Sequence, residues 1–215
     1  MKKPFTKSKP GKTAHQAHQV RIIGGRWKRT SLPVAESPGL RPTPDRVRET
    51  VFNWLNHLLG GTWGNMRCLD LFAGSGALGF EAASRGAAKV TMVENFTPVY
   101  LQLQATKDKL NAEQVNLVRG DAERIAQRMA QQSEFFDLIF LDPPYRQSLV
   151  EKMLPVCAPL LADGGMVYAE SDVALAVGDE DDVPEWLAPW EVMRADRAGN
   201  VFYHLLRLKR TDLKA

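Results

Sequence analysis

The stretch "CLDLFAGSGALGFEA", residues 68–82, is the tightest constraint on what this chain can fold into. Residues 67–72 read as a buried strand and 77–85 as a helix. Between them Gly74, Gly76 and Gly79 follow the spacing G-x-G-x-x-G. Glycines at such a junction let the chain turn tightly and let its backbone approach a ligand closely. A strand that passes through such a loop into a helix belongs to a βαβ unit. The rest of the chain agrees. Further strands are predicted at 89–94, 115–119, 136–141, 165–170, 190–195 and 200–208, and further helices at 97–110, 122–130 and 147–158. Strands separated by helices imply right-handed crossovers and a mainly parallel sheet. The last two strands flank the short turn "DRAGN" and should pair antiparallel at the sheet edge. The expected fold class is therefore α/β and Rossmann-like, and 215 residues suffice for one such domain with a small extension.

Composition excludes several alternatives. With 25% charged and 44% hydrophobic residues the chain has the make-up of an ordinary soluble globule. No apolar run approaches about 18 residues, so no membrane span or membrane partner is expected. The basic start lacks an apolar core, which argues against a secretory signal, and "KKPFTKSKPGK" lacks the amphipathic pattern of a transit peptide. Cys68 and Cys157 are far apart in apolar segments, with no metal-ligand spacing. They read as buried cytosolic thiols, with neither disulfide nor metal. A cytoplasmic location is expected.

The net charge of +3 conceals an asymmetry. Residues 1–50 carry 12 Lys/Arg against 3 Asp/Glu, and residues 51–215 carry 16 against 22. A basic arm on a mildly acidic body suits a polyanionic partner, although residues 1–19 alone could be merely a solvated tail. Those residues are polar and Lys-rich and are expected to be disordered. "VRIIGGRWKRTSLPV", residues 20–34, places two apolar-alternating runs around Gly24 and Gly25, as a β-hairpin would. A Pro-rich linker, residues 36–44, leads into a helix for which Thr43 is the expected N-cap and Pro44 the first helical residue. The acidic run 178–182 reads as a solvated loop.

Acids at the ends of successive strands give the first functional signal. Asp70 ends the first strand of the sheet four residues before Gly74. Glu94 ends the second, where a carboxylate can accept both hydroxyls of a ribose. Asp121 follows the third, where it can accept from an adenine amino group. In a doubly wound sheet these ends face one crevice. Three carboxylates there disfavour a pyrophosphate and suit a ligand with an amino group and a sulfonium. That points to S-adenosylmethionine rather than NAD. Phe72, Asn95 and Ala122 neighbour these acids and complete the candidate cofactor set with Gly74 and Gly76.

The fourth strand ends in "LDPPY", residues 141–145. Two prolines end any ladder and leave a rigid turn. In the same crevice they also serve methylation of a planar exocyclic amine, whose lone pair is delocalised. Asp142 and the carbonyl of Pro143 can hold its two N–H groups and favour pyramidalisation. Pro144 stiffens the turn, and Tyr145 offers a face for stacking the base. No strong base is needed, because the methylated nitrogen is cationic and sheds its proton readily. Adenine N6, cytosine N4, guanine N2 and a glutamine side chain would all satisfy the tetrapeptide.

Taken in order, "RIIGGRWKRTSLPV", "LRPTPDRVRETVFNWL", "LDLFAGSGALGFEA" and "LDPPY" resemble the RsmD family of bacterial 16S rRNA guanine-N2 methyltransferases, over roughly residues 20–208. The resemblance implies a seven-stranded S-adenosylmethionine-dependent methyltransferase sheet, residues 44–215, with an RNA-binding hairpin extension and linker at 20–43. It implies methyl transfer to the N2 of one guanine of 16S rRNA, in the 30S subunit or its assembly intermediate, by a monomer. Asp142 to Tyr145 would take the amine, and Asp70, Gly74, Gly76, Glu94 and Asp121 the cofactor. Arg21, Arg26, Trp27, Lys28, Arg29, Arg41, Arg46 and Arg48 would meet RNA, with packing of the hairpin the favoured role for Trp27. Where the family often has Trp-Arg-Gly-Arg, this chain has Trp27-Lys28-Arg29-Thr30. A DNA adenine-N6 methyltransferase shares the pocket chemistry but usually needs a larger recognition domain. A non-catalytic assembly factor on a cofactor fold is the other alternative.

Overall fold

The apolar runs that read as strands in the sequence lie in a single twisted sheet. The computed structural model describes residues 19–34, 43–144, 149–175 and 183–210. Its first elements are the short strands β1 (Gln19–Arg21) and β2 (Ser31–Pro33) and helix α1 (Asp45–Leu58). Then come β3 (Arg67–Asp70), α2 (Ala77–Arg85), β4 (Lys89–Glu94), α3 (Thr97–Leu110), β5 (Val115–Arg119), α4 (Ala122–Gln131) and β6 (Phe136–Leu141). Helix α5 (Leu149–Cys157), a 3₁₀ turn (Ala158–Leu160), β7 (Leu161–Ser171), β8 (Trp190–Ala198) and β9 (Val201–Leu208) complete the order.

The seven-stranded sheet runs β5-β4-β3-β6-β7-β9-β8. Strands β3 to β7 pair in parallel, and β9 pairs antiparallel with both β7 and β8. The strand order reverses between β3 and β6, which opens a crevice above their carboxyl ends. Alternate residues of each strand enter opposite cores. Cys68, Phe140 and Tyr168 join α1, α2 and α3 on one face. Leu69, Ile139 and Ala169 join α4 and α5 on the other. Helices cover both faces, so the central strands are apolar throughout rather than alternating. The expected antiparallel edge pair is present. Strand β7 begins four residues earlier than predicted, because Leu161 already pairs with Phe136 ahead of a bulge.

Two expectations for the N-terminal region are corrected. The expected β1–β2 hairpin is present, but its paired strands do not flank Gly24 and Gly25 directly. Val20 pairs with Leu32, and the chain from Ile22 to Thr30 forms a broad loop closed by Ile22 N to Thr30 O and Arg29 N to Ile22 O. Gly24 and Gly25 instead press onto α2. A Cβ on Gly25, whose φ is +71°, would lie 1.9 Å from the Ser84 carbonyl oxygen. Thr43 does not cap α1: the N-cap is Pro44, with no side-chain cap hydrogen bond. The Thr43 hydroxyl is engaged elsewhere, as described below.

Among the described residues no helix is long and apolar enough to cross a membrane, and no cluster of His, Cys, Asp and Glu could hold a metal ion. Both cysteines are free and buried, and burial pushes the Cys157 thiol up to about 12.

Candidate active site

The glycine loop leaves β3 at Asp70 and enters α2 through Gly76, whose φ of +78° is a left-handed conformation that glycine adopts without strain. A Cβ there would lie 2.5 Å from the Phe80 ring. The loop is tied to its neighbours by carboxylates. Gly74 N donates to Glu94 Oε2 at 3.0 Å, and Phe96 N donates to Glu94 Oε1 at 2.7 Å. Gly79 N, in the first turn of α2, donates to Asp70 Oδ2 at 3.1 Å. Gly120 N donates to the Glu94 carbonyl, which brings the end of β5 beside the end of β4. Asp121 then caps α4, its Oδ1 accepting from Arg124 N at 3.0 Å. Asn95 is exposed, Phe72 half-buried and Ala122 buried beside these groups. The acids of the first three strands thus meet at one end of the sheet.

Asp70 is 1% exposed, and its Oδ1 has no hydrogen-bond partner among the described residues. Burial, reinforced by nearby Glu94 and opposed by two backbone N–H donors, raises its pKa to about 7. An orphaned buried acceptor beside a glycine loop fits a ligand that brings a donor or a positive charge. S-adenosylmethionine is such a ligand, with an α-amino group and a sulfonium. Glu94 and Asp121 each keep acceptor capacity beyond the bonds they make, which suits ribose hydroxyls and an adenine amine.

Asp142 follows β6 directly. It is half-buried, Pro143 is buried and Pro144 is exposed. Asp142 Oδ2 accepts from the Thr43 hydroxyl at 2.9 Å across 99 residues of sequence. The residue expected to cap a helix therefore braces the carboxylate expected to hold the amine. Burial, and then the adjacent Glu170, hold the Asp142 carboxyl well above the usual carboxylate range, while Thr43 opposes the shift and Asp70 adds to it. Glu170, on β7, is 1% exposed, and Tyr168 OH donates to its Oε1 at 2.6 Å. It has no place in the sequence-based site, yet one signal was available: an acid at the end of a buried strand, the criterion that found the others.

The basic arm separates into surface and core. Arg26, Lys28, Arg29 and Arg46 are exposed. Arg21 is exposed too and pairs with Asp45 at 2.7 Å. Trp27 and Arg48 do not belong with them. Trp27 is 8% exposed and packs in the α1–α2 core, so its face is not offered to a base. Arg48 is fully buried, bonded to Asp45 Oδ1 and to the carbonyls of Thr43 and Arg21. Desolvation would be prohibitive without those partners. It fastens the arm to α1 and has no surface to present to a phosphate. Arg41, Tyr145, the acidic run 178–182 and residues 1–18 lie outside the described residues.

Known proteins agree with this geometry. A family model described as "Conserved hypothetical protein 95" matches residues 20–207. A protein of Escherichia coli K12 named "Ribosomal RNA small subunit methyltransferase D" is 42% identical over 189 residues, covering 87% of this chain and 89% of that protein. A protein of the same name from Haemophilus influenzae is 37% identical over 199 residues, covering 90% of this chain and 96% of its own length. The solved structure of a "putative methyltransferase yhhF" from Escherichia coli superposes with a TM-score of 0.73 at 40% identity, over 89% of this chain and 99% of that one. The sheet is the seven-stranded sheet of S-adenosylmethionine-dependent methyltransferases. This chain belongs to the Conserved hypothetical protein 95 family, which is the RsmD family.

Proposed function

We propose that this protein transfers a methyl group from S-adenosylmethionine to the exocyclic N2 of one guanine in the 16S rRNA of the small ribosomal subunit. The carrying observation is Asp142. Among the described residues it is the carboxylate that stands at the switch point beside the glycine loop, is braced by Thr43, and precedes two prolines. The names of the RsmD relatives supply the nucleic acid. When bound, S-adenosylmethionine supplies an electrophilic methyl group. Asp70, Gly74, Gly76, Glu94, Asn95, Asp121 and Ala122 are the residues that would hold it, with Phe72 alongside.

The chain's own task is orientation. Asp142 accepts from one N–H of the amine and the Pro143 carbonyl accepts from the other, which aims the lone pair. Positioning of this kind supplies on the order of 7–11 kcal/mol. Tyr145 stacks the base in this reading. Because the pocket is small and the target lies within a large RNA, affinity and register come from phosphate contacts by Arg21, Arg26, Lys28, Arg29, Arg41 and Arg46. The target guanine must be unstacked or already exposed to enter the pocket. The hairpin and linker, residues 20–43, serve as the RNA-engaging extension of a methyltransferase domain spanning 44–215. The protein acts as a monomer in the cytoplasm, on the 30S subunit or its assembly intermediate. Incubation with labelled cofactor and unmethylated small subunits, followed by nucleoside mapping, tests this. One labelled N2-methylguanine is expected. Labelled adenine, or label in DNA only, would overturn it.

A further inference from the structure

Glu170 is the buried acid to which the reading above gives no work. Its place is fixed by register. Strands β6 and β7 are parallel with Leu141 opposite Ala169, so Asp142 and Glu170 come next in line and side by side. They issue from the sheet face that carries Phe140 and Tyr168, whose rings meet edge-on at 6.2 Å between centroids. The register brings the two carboxyl groups within reach of each other, and Glu170 raises the titration of Asp142. Each has a fixed hydroxyl behind it: Tyr168 OH on Glu170 Oε1 at 2.6 Å, and Thr43 Oγ1 on Asp142 Oδ2 at 2.9 Å. Two ionised carboxylates have only acceptors to offer each other. A hydrogen bond between them needs one proton.

Resting on the methyltransferase reading, we propose that Glu170 is a positioning residue for Asp142: the two carboxyls hold one proton in common, donated from Glu170, and this fixes the lone pairs with which Asp142 receives the target amine. Thr43 and Glu170 each occupy part of the acceptor capacity of Asp142, and the remainder faces the crevice. The single proton is also the working charge state. With none, two like charges lie side by side in a poorly solvated place; with two, Asp142 would present a donor to an N–H group. The raised titration of Asp142 accords with this.

The balance of the step is simple. The N2 lone pair becomes the new N–C bond, the C–S electron pair returns to sulfur, and the proton shed by the resulting ammonium goes to Asp142. The carboxyl pair is then neutral and returns one proton to water. The charged and titratable groups around the pair are few. Asp70 on β3 stands opposite Phe140, two residues before Asp142, and adds a like charge. Tyr203 on β9 stands opposite Glu170 and spends its hydroxyl on Asp196. Arg48 of α1 is held by Asp45.

Two variants and two readouts test the proposal. In Glu170→Gln the amide can donate to Asp142 and its carbonyl can accept from Tyr168, so the arrangement survives without a proton to lose. Its kcat should stay within a few-fold of wild type. Its pH profile should keep an acid limb and lose the alkaline one, because a singly protonated pair gives a bell and a lone carboxylate does not. Glu170→Ala should lower kcat by about 10²-fold with the KM for the cofactor unchanged. A merely structural Glu170 would instead lower the stability of both variants and leave the profile's shape alone. That outcome would overturn the proposal. The second readout needs no activity. An infrared difference spectrum, wild type minus Glu170→Gln at neutral pH without cofactor or RNA, should show a protonated carboxyl band; Asp70 cancels in the subtraction. A difference spectrum with no such band sinks the shared proton. Wild type that fails to methylate small subunits would count against the function, while the infrared result would still decide the pair.

Discussion

Helix α2 carries one buried carboxylate in its body and meets another at its N-terminus, and the two sites are built on opposite principles. Glu81, in its body, is fully buried and accepts from Ile23 N at 2.6 Å, Gly24 N at 2.8 Å and Arg85 Nε at 2.8 Å. Ser84 adds a bond in each direction, accepting from Trp27 N and donating to the Gly24 carbonyl. Arg85 in turn lies over the Phe52 ring, 4.9 Å from its centroid. Here a charge is buried with its counter-charge and with donors enough to satisfy it. At the N-terminus of the same helix, Asp70 has an oxygen without a partner among the described residues, and beyond it Asp142 faces Glu170. Among the described residues neither Asp70 nor Asp142 has a cationic partner. The first arrangement is what holds an arm in place. The second leaves acceptors open to something positive or proton-rich, as the proposed cofactor and target amine are.

The largest effect should come from the crevice. Asp142→Ala is expected to reduce methyl transfer to small subunits by at least about 10³-fold while RNA binding stays near wild type, with both measured on the same preparation. A parallel loss of RNA binding would mean that the two regions are not separable.

Next in size, Glu81→Ala should destabilise the protein by about 3–5 kcal/mol in urea unfolding, because it leaves the mostly buried Arg85 without its partner and strands two arm amides. A change below about 1 kcal/mol would erase the contrast between the two sites.

Asp142→Asn should do the reverse, raising the thermal midpoint of the ligand-free protein by about 2–4 °C as it abolishes activity. The sign follows from linkage. A carboxyl whose pKa is raised on folding, as for Asp70 at about 7 and for Asp142, binds more protons in the native than in the unfolded state. Those two groups therefore favour folding at low pH, and their contribution falls as pH rises from the unfolded value near 4 towards 7. A midpoint that rises steeply through that window, in wild type and variant alike, would contradict it.

The smallest effect belongs to the surface of the arm. Arg26→Gln and Lys28→Gln should each reduce the slope of log K against log salt by about 1 if the side chain meets a phosphate, with cofactor affinity unchanged. Trp27 and Arg48 make the useful contrast: their replacement should register first as lost stability, since both are buried.

The sequence made the sheet, its crevice and four of its acids readable for one reason. Strand ends and glycine loops are local signals, and a doubly wound topology converts them into a common place. Asp70, Glu94, Asp121 and Asp142 were found that way. Glu170 satisfies the same criterion, as the last residue of the strand expected at 165–170, but no glycine loop or proline turn follows it to mark it. Thr43 could not be assigned correctly by local reasoning. The pattern Thr-Pro-Asp suits an N-cap, and only a partner 99 residues away shows that its hydroxyl is used otherwise. Arg48 was misjudged along with the other basic residues of the arm because charge alone does not tell an exposed Lys28 from a buried Arg48. The Asp45–Arg48 spacing of one helical turn was the available hint. Gly24 and Gly25 read as a turn because the sequence cannot show that the backbone of another helix presses against them.

The docking of the arm on α2 sets an order of events during synthesis. Gly24 leaves the ribosome 57 residues before Glu81, and Thr43 leaves 99 residues before Asp142. At roughly 5–20 residues per second, that is on the order of 3–11 s for the first contact and 5–20 s for the second. During that interval the arm's amides are held by water alone, and its final form cannot exist. Ile23, Gly24 and Trp27 are therefore made well before the groups that fix them, and they take their shape only when the helix beside the glycine loop has been completed.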